Sequence, residues 1–469
     1  MTVNIEFIGA AQTVTGSKHV VRSNRATVLL DCGLFQGHRR EAEERNRTPI
    51  VDVRSVDAVV LSHAHIDHSG ALPVLVKQGY DGPIYATPAT RDLCAAMLMD
   101  CAFIQRADAK HIAEKIARDH SPMDPVEPLY DENDVERTLR RFVGLPYGRV
   151  ETIAPDISLK LIDAGHVLGS AISVLDIRDQ DGTKRLAFTG DLGRKNAPIL
   201  RDPEIPEQVD ALILESTYGD REHAPISTMD DALGAVIRRT VSRGGKVVIP
   251  SFALERAQEI IFAVKRLLRA GKIPRLPVYV DSPLTVSLTE VFKLHPDCYD
   301  EETRKLLTSG DSPFDFPGLE YVSDAAKSKA IDTSPDPAVI ISASGMCEAG
   351  RILHHLRATI GDASNTVAIV GFQAEHTLGR RIVERRPRVR IFGVERDLCA
   401  EVVVLDGFSA HAGRNELVDF AKSVRVAGKL RDIFLVHGEQ PAQSALRERL
   451  ISEGFASVRI PAPHERFAL

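Results

Sequence analysis

The sequence predicts an α/β protein in which one α/β unit interrupts another, and three observations carry that prediction. Strand-like runs alternate with helical spacing along most of the chain. Several of those runs end on a histidine or a carboxylate beside glycine. The last of them, Asp432-Ile433-Phe434-Leu435-Val436 before His437, arrives only after a separate strand–helix–strand series. With 469 residues, 43% of them hydrophobic, the chain has the length for two to three domains or one large domain with an insertion. Its formal charge of −6, from 59 basic and 65 acidic residues, is mild and leaves nucleic-acid binding to local patches. The six cysteines (Cys32, Cys94, Cys101, Cys298, Cys347, Cys399) include no Cys-x-x-Cys pair, which argues against a disulfide framework and a thiolate metal site. A reducing, cytoplasmic setting is expected. No basic leader precedes the first strand, and no apolar stretch reaches the length of a membrane span.

In chain order, Val3 to Ile8 and Ala26 to Leu30 read as strands, the second ending at Asp31-Cys32-Gly33. The apolar run Val56 to Leu61 then leads into Ser62-His63-Ala64-His65-Ile66-Asp67-His68-Ser69-Gly70. On a tight turn His63 and His65 can face one side while Asp67 and His68 face the other, so one segment can serve two cations. Nitrogen and carboxylate donors without thiolate suit zinc best. Pro88 to Gln105 has helical spacing, with Cys94 and Cys101 nearly on one apolar face, and about 107 to 148 reads as a charged helical excursion near the site mouth. Two further runs, Leu159 to Gly165 and Arg185 to Gly190, end at His166 and Asp191. Strand ends beside glycine are where open active-site edges are built.

A second unit follows Tyr218-Gly219. Helical Met229 to Arg243 leads through Gly244-Gly245 into the strand Lys246 to Pro250 and helical Leu254 to Arg269; strands follow at 277–280, 338–342 and 366–370. This order predicts a parallel sheet covered on both faces. Because His437 follows the unit, it is expected to be an insertion at 219–395 between segments 1–218 and 396–469. Within it, the turn around Ser344 and Gly345 precedes helical Arg351 to Leu356 and could offer backbone N–H groups to phosphate. The basic run from Arg380 to Arg390 is a candidate strip for a nucleic-acid backbone.

The set Asp31, His63-x-His65-x-Asp67-His68, His166 and Asp191 resembles the metallo-β-lactamase fold hydrolases, and Glu215, His411 and His437 resemble the additional motifs of their β-CASP branch. That branch contains ribonuclease J, the endonuclease subunit of the cleavage and polyadenylation factor, short bacterial ribonucleases and DNA nucleases of the Artemis kind. The resemblance runs over essentially the whole chain. It implies an α/β fold, a metallo-β-lactamase αββα sandwich with an inserted α/β β-CASP domain. It also implies two Zn²⁺ ions, one on His63, His65 and His166, the other on Asp67, His68 and His437, with Asp191 bridging. Asp67 is placed among the catalytic residues as well as the ligands.

The implied reaction is in-line attack on an RNA phosphodiester by a metal-held hydroxide, with His411 as general acid, Glu215 orienting it, and Asp31 accepting a proton from a ligand imidazole. Arg256 matches a further family motif and joins Ser344, Gly345 and Arg380 as a candidate substrate contact. Family members commonly carry glycine where His376 sits, so it is not counted as a ligand. Single-stranded RNA is the expected substrate, because ribonuclease members carry His-Gly-Glu as at His437-Gly438-Glu439. Starting at the first strand and ending soon after His437, the chain looks most like the short bacterial ribonucleases. The alternatives are a DNA nuclease, a small-molecule metallo-hydrolase and a non-catalytic RNA-binding subunit. Oligomeric state is left open, homodimer included, since no heptad or isolated apolar helix marks an interface.

Overall fold

The computed structural model describes residues 3–37, 39–48, 51–119, 126–180, 182–374 and 376–469. It divides into two compact units, one of Met1–Lys195, Asp202–Glu222 and His411–Leu469, the other of Asn196–Arg201 and His223–Ala410.

The first unit is built on two seven-stranded sheets. One runs in the order Glu465–Ala468, Asn4–Gly9, Lys18–Arg22, Thr27–Leu30, Ala58–Val60, Ile84–Ala86, Phe142–Gly144. The other runs Ser457–Arg459, Asp432–Val436, Ala211–Glu215, Gly182–Phe188, Ala171–Asp179, Ile157–Asp163, Val150–Ala154. Strand alternation sends Phe7, Val28, Leu30 and Val60 of the first sheet and Leu159, Leu175, Phe188, Ile213 and Phe434 of the second into one shared core. The opposite side chains of the second sheet, among them Leu212, Leu214, Ile433 and Leu435, pack on Leu417, Phe420 and Val424 of the helix Arg414–Val426 and on Leu446 and Leu450 of Gln440–Ser452. Buried on both faces, these strands read as continuous apolar runs.

Two local features depart from the sequence reading. The helix expected over 88–105 is continuous with the first part of the helical excursion, to Asp119, because Ala107 to Glu114 holds no helix breaker. The stretch read as a helical excursion ends in an edge strand, Phe142–Gly144, paired in parallel with Ile84–Ala86. At three residues, two of them exposed, it carries too little alternation to announce itself.

The second unit holds a six-stranded, all-parallel sheet in the order Leu319–Tyr321, Val278–Val280, Val339–Ser342, Val247–Pro250, Thr366–Ile369, Glu401–Val404, plus the hairpin Arg388–Ile391/Val394–Asp397. Glu401–Val404 pairs with Thr366–Ile369, so this sheet continues beyond residue 395. The helix expected from Leu254 begins at Arg256, since Glu255 sits at φ +66°, outside helical space.

A buried charge cluster ties this sheet to its helices. His355 Nε2 lies 2.9 Å from Asp281 Oδ2 and its Nδ1 2.6 Å from Asp332 Oδ1, while Arg351 reaches Asp281 Oδ1 at 2.5 Å. Burial pulls the His355 pKa down, but the hydrogen bonds and charges of Asp281 and Asp332 outweigh it and leave the imidazole above its ordinary 6.5. Burial pushes Asp281 up, and its bonds to His355, Ser328 and Arg351 bring it below 3.8. A raised histidine contributes stability in full below the unfolded pKa and loses it as pH rises through the folded value. The lowered aspartate does the reverse, losing its contribution as pH falls through its folded value. His355→Gln is therefore expected to cost about 3–5 kcal/mol near pH 6, the scale for breaking a buried pair. The gap should narrow steadily above pH 6.5 in urea titrations of both proteins. A gap independent of pH between 6 and 9 would mean that His355 is not charged in the fold.

Candidate metal centre

Five of the site residues stand just past the C-terminal end of a strand: Asp31 after Thr27–Leu30, His63 after Ala58–Val60, His166 after Ile157–Asp163, Asp191 after Gly182–Phe188 and His437 after Asp432–Val436, while His65, Asp67 and His68 follow His63 at and in the short helix Ile66–Ser69. Glu215 closes Ala211–Glu215. The parallel neighbours in both sheets point these ends the same way, the edge at which open α/β sheets bind ligands. The backbone is bent to suit: Asp31 and His437 hold φ of +57° and +51°, a region side chains other than glycine seldom adopt and one that clusters at functional sites.

Two donor clusters result. His63 Nε2 and His166 Nε2 lie 3.0 and 3.4 Å from His65 Nδ1, and Asp191 Oδ2 is 3.5 Å from both Nε2 atoms. On the other side, His68 Nε2 lies 3.2 Å from His437 Nε2 and 3.3 Å from Asp191 Oδ2, and Asp67 Oδ2 is 3.4 Å from His437 Nε2. Donor atoms of His63, His65, His166 and Asp191 fall within 4.8 Å of one another, as do those of Asp67, His68 and His437, and Asp191 Oδ2 faces both groups.

The chemistry of this set fits cations. Burial, reinforced by neighbouring imidazoles, holds His63 and His166 well below the ordinary histidine pKa and His65 near 4, so these rings are the neutral form that metals take. Burial would raise Asp67 and Asp191, but His68 and His437 keep both ionised. Burial would likewise lower His68, yet Asp191, Asp31 and Asp67 hold it well above 6.5, so this position calls for positive charge. Asp191 Oδ1 is buried without a hydrogen-bond donor. Imidazole nitrogens facing each other at 3.0–3.4 Å share at most one proton per pair, and a cation among them satisfies every lone pair.

Outside the donors, Asp31 Oδ2 accepts from His68 Nδ1 at 2.7 Å, leaving Nε2 to face the cluster, and Ser62 N–H, Ser62 Oγ and Ser17 Oγ hold that carboxylate in turn. Ser62 Oγ also reaches His63 Nδ1 at 3.1 Å, and Thr217 Oγ1 reaches His437 Nδ1 at 3.1 Å. Neither hydroxyl was singled out from sequence, and their only signal was adjacency: Ser62 precedes His63, and Thr217 follows Glu215 by two. Glu215 is buried; its Oε1 accepts the Leu192 N–H at 2.7 Å and faces His411 Nδ1 at 3.1 Å, and its Oε2 accepts from Thr217 N. His411 lies over His166, ring centroids 4.5 Å apart. Burial works against its charge, but Glu215 and Asp191 prevail and lift its pKa to about 9.

The four candidate substrate residues lie in the second unit. Arg256 is buried and pairs with Glu259, so it is turned inward as part of that unit's packing. Ser344 Oγ accepts from the N–H groups of Glu348 and Ala349, and the Gly345 carbonyl accepts from Gln373 Nε2. Arg380 is exposed and pairs with Glu384 at 2.9 Å. His376 holds φ +67°, a conformation that glycine adopts without strain.

Comparison with known proteins agrees with this construction. Family profiles match at residues 16–231 (metallo-beta-lactamase superfamily), 257–382 (Beta-Casp domain) and 397–461 (Zn-dependent metallo-hydrolase RNA specificity domain). The chain is 39% identical over 447 residues to ribonuclease TTHA0252 of Thermus thermophilus, covering 95% of each. It is 32% identical over 456 residues to transcription termination factor FttA of Methanosarcina mazei, covering 94% of this chain and 67% of that one. A crystal structure of a protein of unknown function from Enterococcus faecalis shares the fold, at TM-score 0.56 and 14% identity over the full length of both chains. With a metal-type donor set at its strand ends and relatives matched along nearly its whole length, the chain belongs to the β-CASP ribonuclease family of metal-dependent hydrolases with the metallo-β-lactamase fold.

Proposed function

We propose that this protein is a zinc-dependent ribonuclease that hydrolyses phosphodiester bonds in single-stranded RNA. The observation that supports it most is the pair of donor clusters sharing Asp191, with the Glu215–His411 pair beside them. His63, His65, His166 and Asp191 would hold one Zn²⁺, and Asp67, His68, His437 and Asp191 the second. When bound, such a pair supplies Lewis acidity toward a phosphoryl oxygen and a water of lowered pKa. The chain's own groups do the rest. Asp31 fixes the tautomer of His68, and Thr217 and Ser62 orient His437 and His63. Glu215 holds His411 through Nδ1, leaving Nε2 to give a proton to the departing oxygen. RNA as substrate is supported by the RNA specificity profile and by the ribonuclease among the relatives. A cytoplasmic location fits six unpaired cysteines, and no described helix is long and apolar enough to cross a membrane.

The test is a time course with zinc-loaded protein on matched single-stranded RNA and DNA, each labelled at the 5′ or the 3′ end. RNA cleavage that vanishes in Asp67→Ala is expected, and the product ladder separates internal cutting from end trimming. Preferential DNA cleavage would make the protein a DNA nuclease. Cleavage of neither by a protein carrying two metals would favour a small-molecule hydrolase.

A further inference from the structure

At the C-terminal edge of the second unit's sheet, Val247–Pro250 lies between Val339–Ser342 and Thr366–Ile369. From Val247–Pro250 the chain goes first to one side of the sheet and later to the other, which opens a crevice beyond its strand ends, the place where open parallel sheets take ligands. Three loops meet there, and two aromatic rings stand in them. Phe252 follows Val247–Pro250 and is 37% exposed; Phe372 follows Thr366–Ile369 and is 38% exposed. These are large apolar residues kept at the surface above a sheet whose own side chains are buried.

The Phe252 ring is seated rather than loose. A Cβ placed on Gly345 would lie 2.8 Å from it, and one on Gly371 would lie 3.4 Å from it, so the ring rests on two bare glycine backbones. Gln373, itself buried, clamps those backbones by donating from Nε2 to the carbonyls of Gly345 at 2.9 Å and Gly371 at 3.2 Å. The ring is thus supported from below and open to solvent above. The helix that follows the Phe372 loop, Leu378–Val383, carries Arg380 and Arg381. Arg381 donates to the His376 carbonyl, tying that segment to the Phe372 loop. A seated, exposed ring in a loop crevice that leads into Arg380 and Arg381 suits a single strand, whose bases stack on aromatic faces while its phosphates meet the charge.

We infer that Phe252 and Phe372 form a base-stacking platform for single-stranded RNA, with Gly345, Gly371 and Gln373 as its rigid support. The inference rests on the ribonuclease reading for the identity of the strand. A base is planar and apolar on its face, which explains why rings rather than hydrogen-bonding side chains stand here. The platform therefore takes any base and asks only that one be present.

The chain contains no tryptophan, so Phe252→Trp introduces a fluorophore without background while keeping a stacking ring. Zinc-loaded F252W is titrated with an oligouridylate, an oligoadenylate and an abasic ribose-phosphate strand of equal length. Quenching by the two base-bearing strands and none by the abasic strand is expected. In parallel, F252L/F372L should raise KM for RNA about 5- to 100-fold, the range for losing one stacked base or somewhat more, at unchanged kcat, and F252W, which keeps a stacking ring, should raise it less. Absence of quenching, equal quenching by the abasic strand, or a wild-type KM in F252L/F372L would each overturn the platform. Quenching that follows protein concentration alone would assign the surface to self-association instead. Should F252L/F372L fail to fold, the tryptophan titration decides alone. Should the wild-type protein cleave no RNA, the ribonuclease reading fails, and the titration still reports whether bases stack.

Discussion

His411→Ala lowers turnover on RNA by about 10²- to 10⁴-fold, the usual worth of a positioned proton donor, while zinc per chain stays at the wild-type level. The geometry separates these two readouts. His411 belongs to neither the cluster around His63, His65 and His166 nor that of Asp67, His68 and His437. Its Nδ1 is committed to Glu215 at 3.1 Å, and Glu215 is itself fixed by backbone N–H groups at Leu192 and Thr217. The backbone of His411 bridges antiparallel to Gly193, a contact alanine preserves, so the segment should keep its place. Glu215→Gln should lower kcat less than His411→Ala, because the amide can still hold the ring but no longer supports its charge. Metal analysis after gel filtration, with kcat on one end-labelled RNA, checks both. Parallel loss of zinc and activity in His411→Ala would make His411 a ligand and leave the leaving group without its proposed acid.

Much of the fold and of the donor set could be read from the chain because both obey local rules. A buried parallel strand is a short apolar run, and a functional residue at its C-terminal end follows that run directly, as with His63 after Val59-Val60-Leu61 and His437 after Leu435-Val436. What could not be read depends on contacts distant in sequence. Thr217 and His437 are 220 residues apart, and nothing in either neighbourhood tells that a hydroxyl will meet a ring nitrogen. The edge strands Phe142–Gly144 and Leu319–Tyr321 have three residues each, too few for a period of two to show. Arg256 shows the converse: a family motif placed it among the candidate substrate contacts, but the first turn of its helix is buried and brings Glu259 three positions on. The basic run lost some of its apparent force for a related reason. Its arginines meet Glu384, Glu395 and Asp397 once the hairpin Arg388–Ile391/Val394–Asp397 forms, and only the excess remains for a partner.

Asp191→Asn should release more than one zinc per chain, whereas Asp67→Ala should release only one. The asymmetry follows from charge. Asp191 is the carboxylate grouped with His63, His65 and His166, and it also lies 3.3 Å from His68 Nε2 on the other side, so its loss leaves three neutral rings as the ligands of one dication and a single carboxylate among those of the other. Asp67 is grouped as a ligand with His68 and His437, and reaches the other cluster through its charge on His65. Asparagine keeps the shape and one acceptor oxygen toward His68 Nε2 and His437 Nδ1, which lie 3.3 and 3.2 Å from the carboxylate, so the metal-free variant should fold. Stability offers a readout independent of activity: a ligand bound only by the folded state stabilises in proportion to the logarithm of its concentration over Kd. Added zinc should therefore raise Tm strongly in wild type, less in Asp67→Ala and least in Asp191→Asn, in thermal melts across a zinc series. RNA cleavage by Asp191→Asn should fall to background, since both cation positions depend on that one carboxylate. Equal zinc loss from Asp67→Ala and Asp191→Asn would show instead that Asp191 serves one position and that the bridging assignment is wrong.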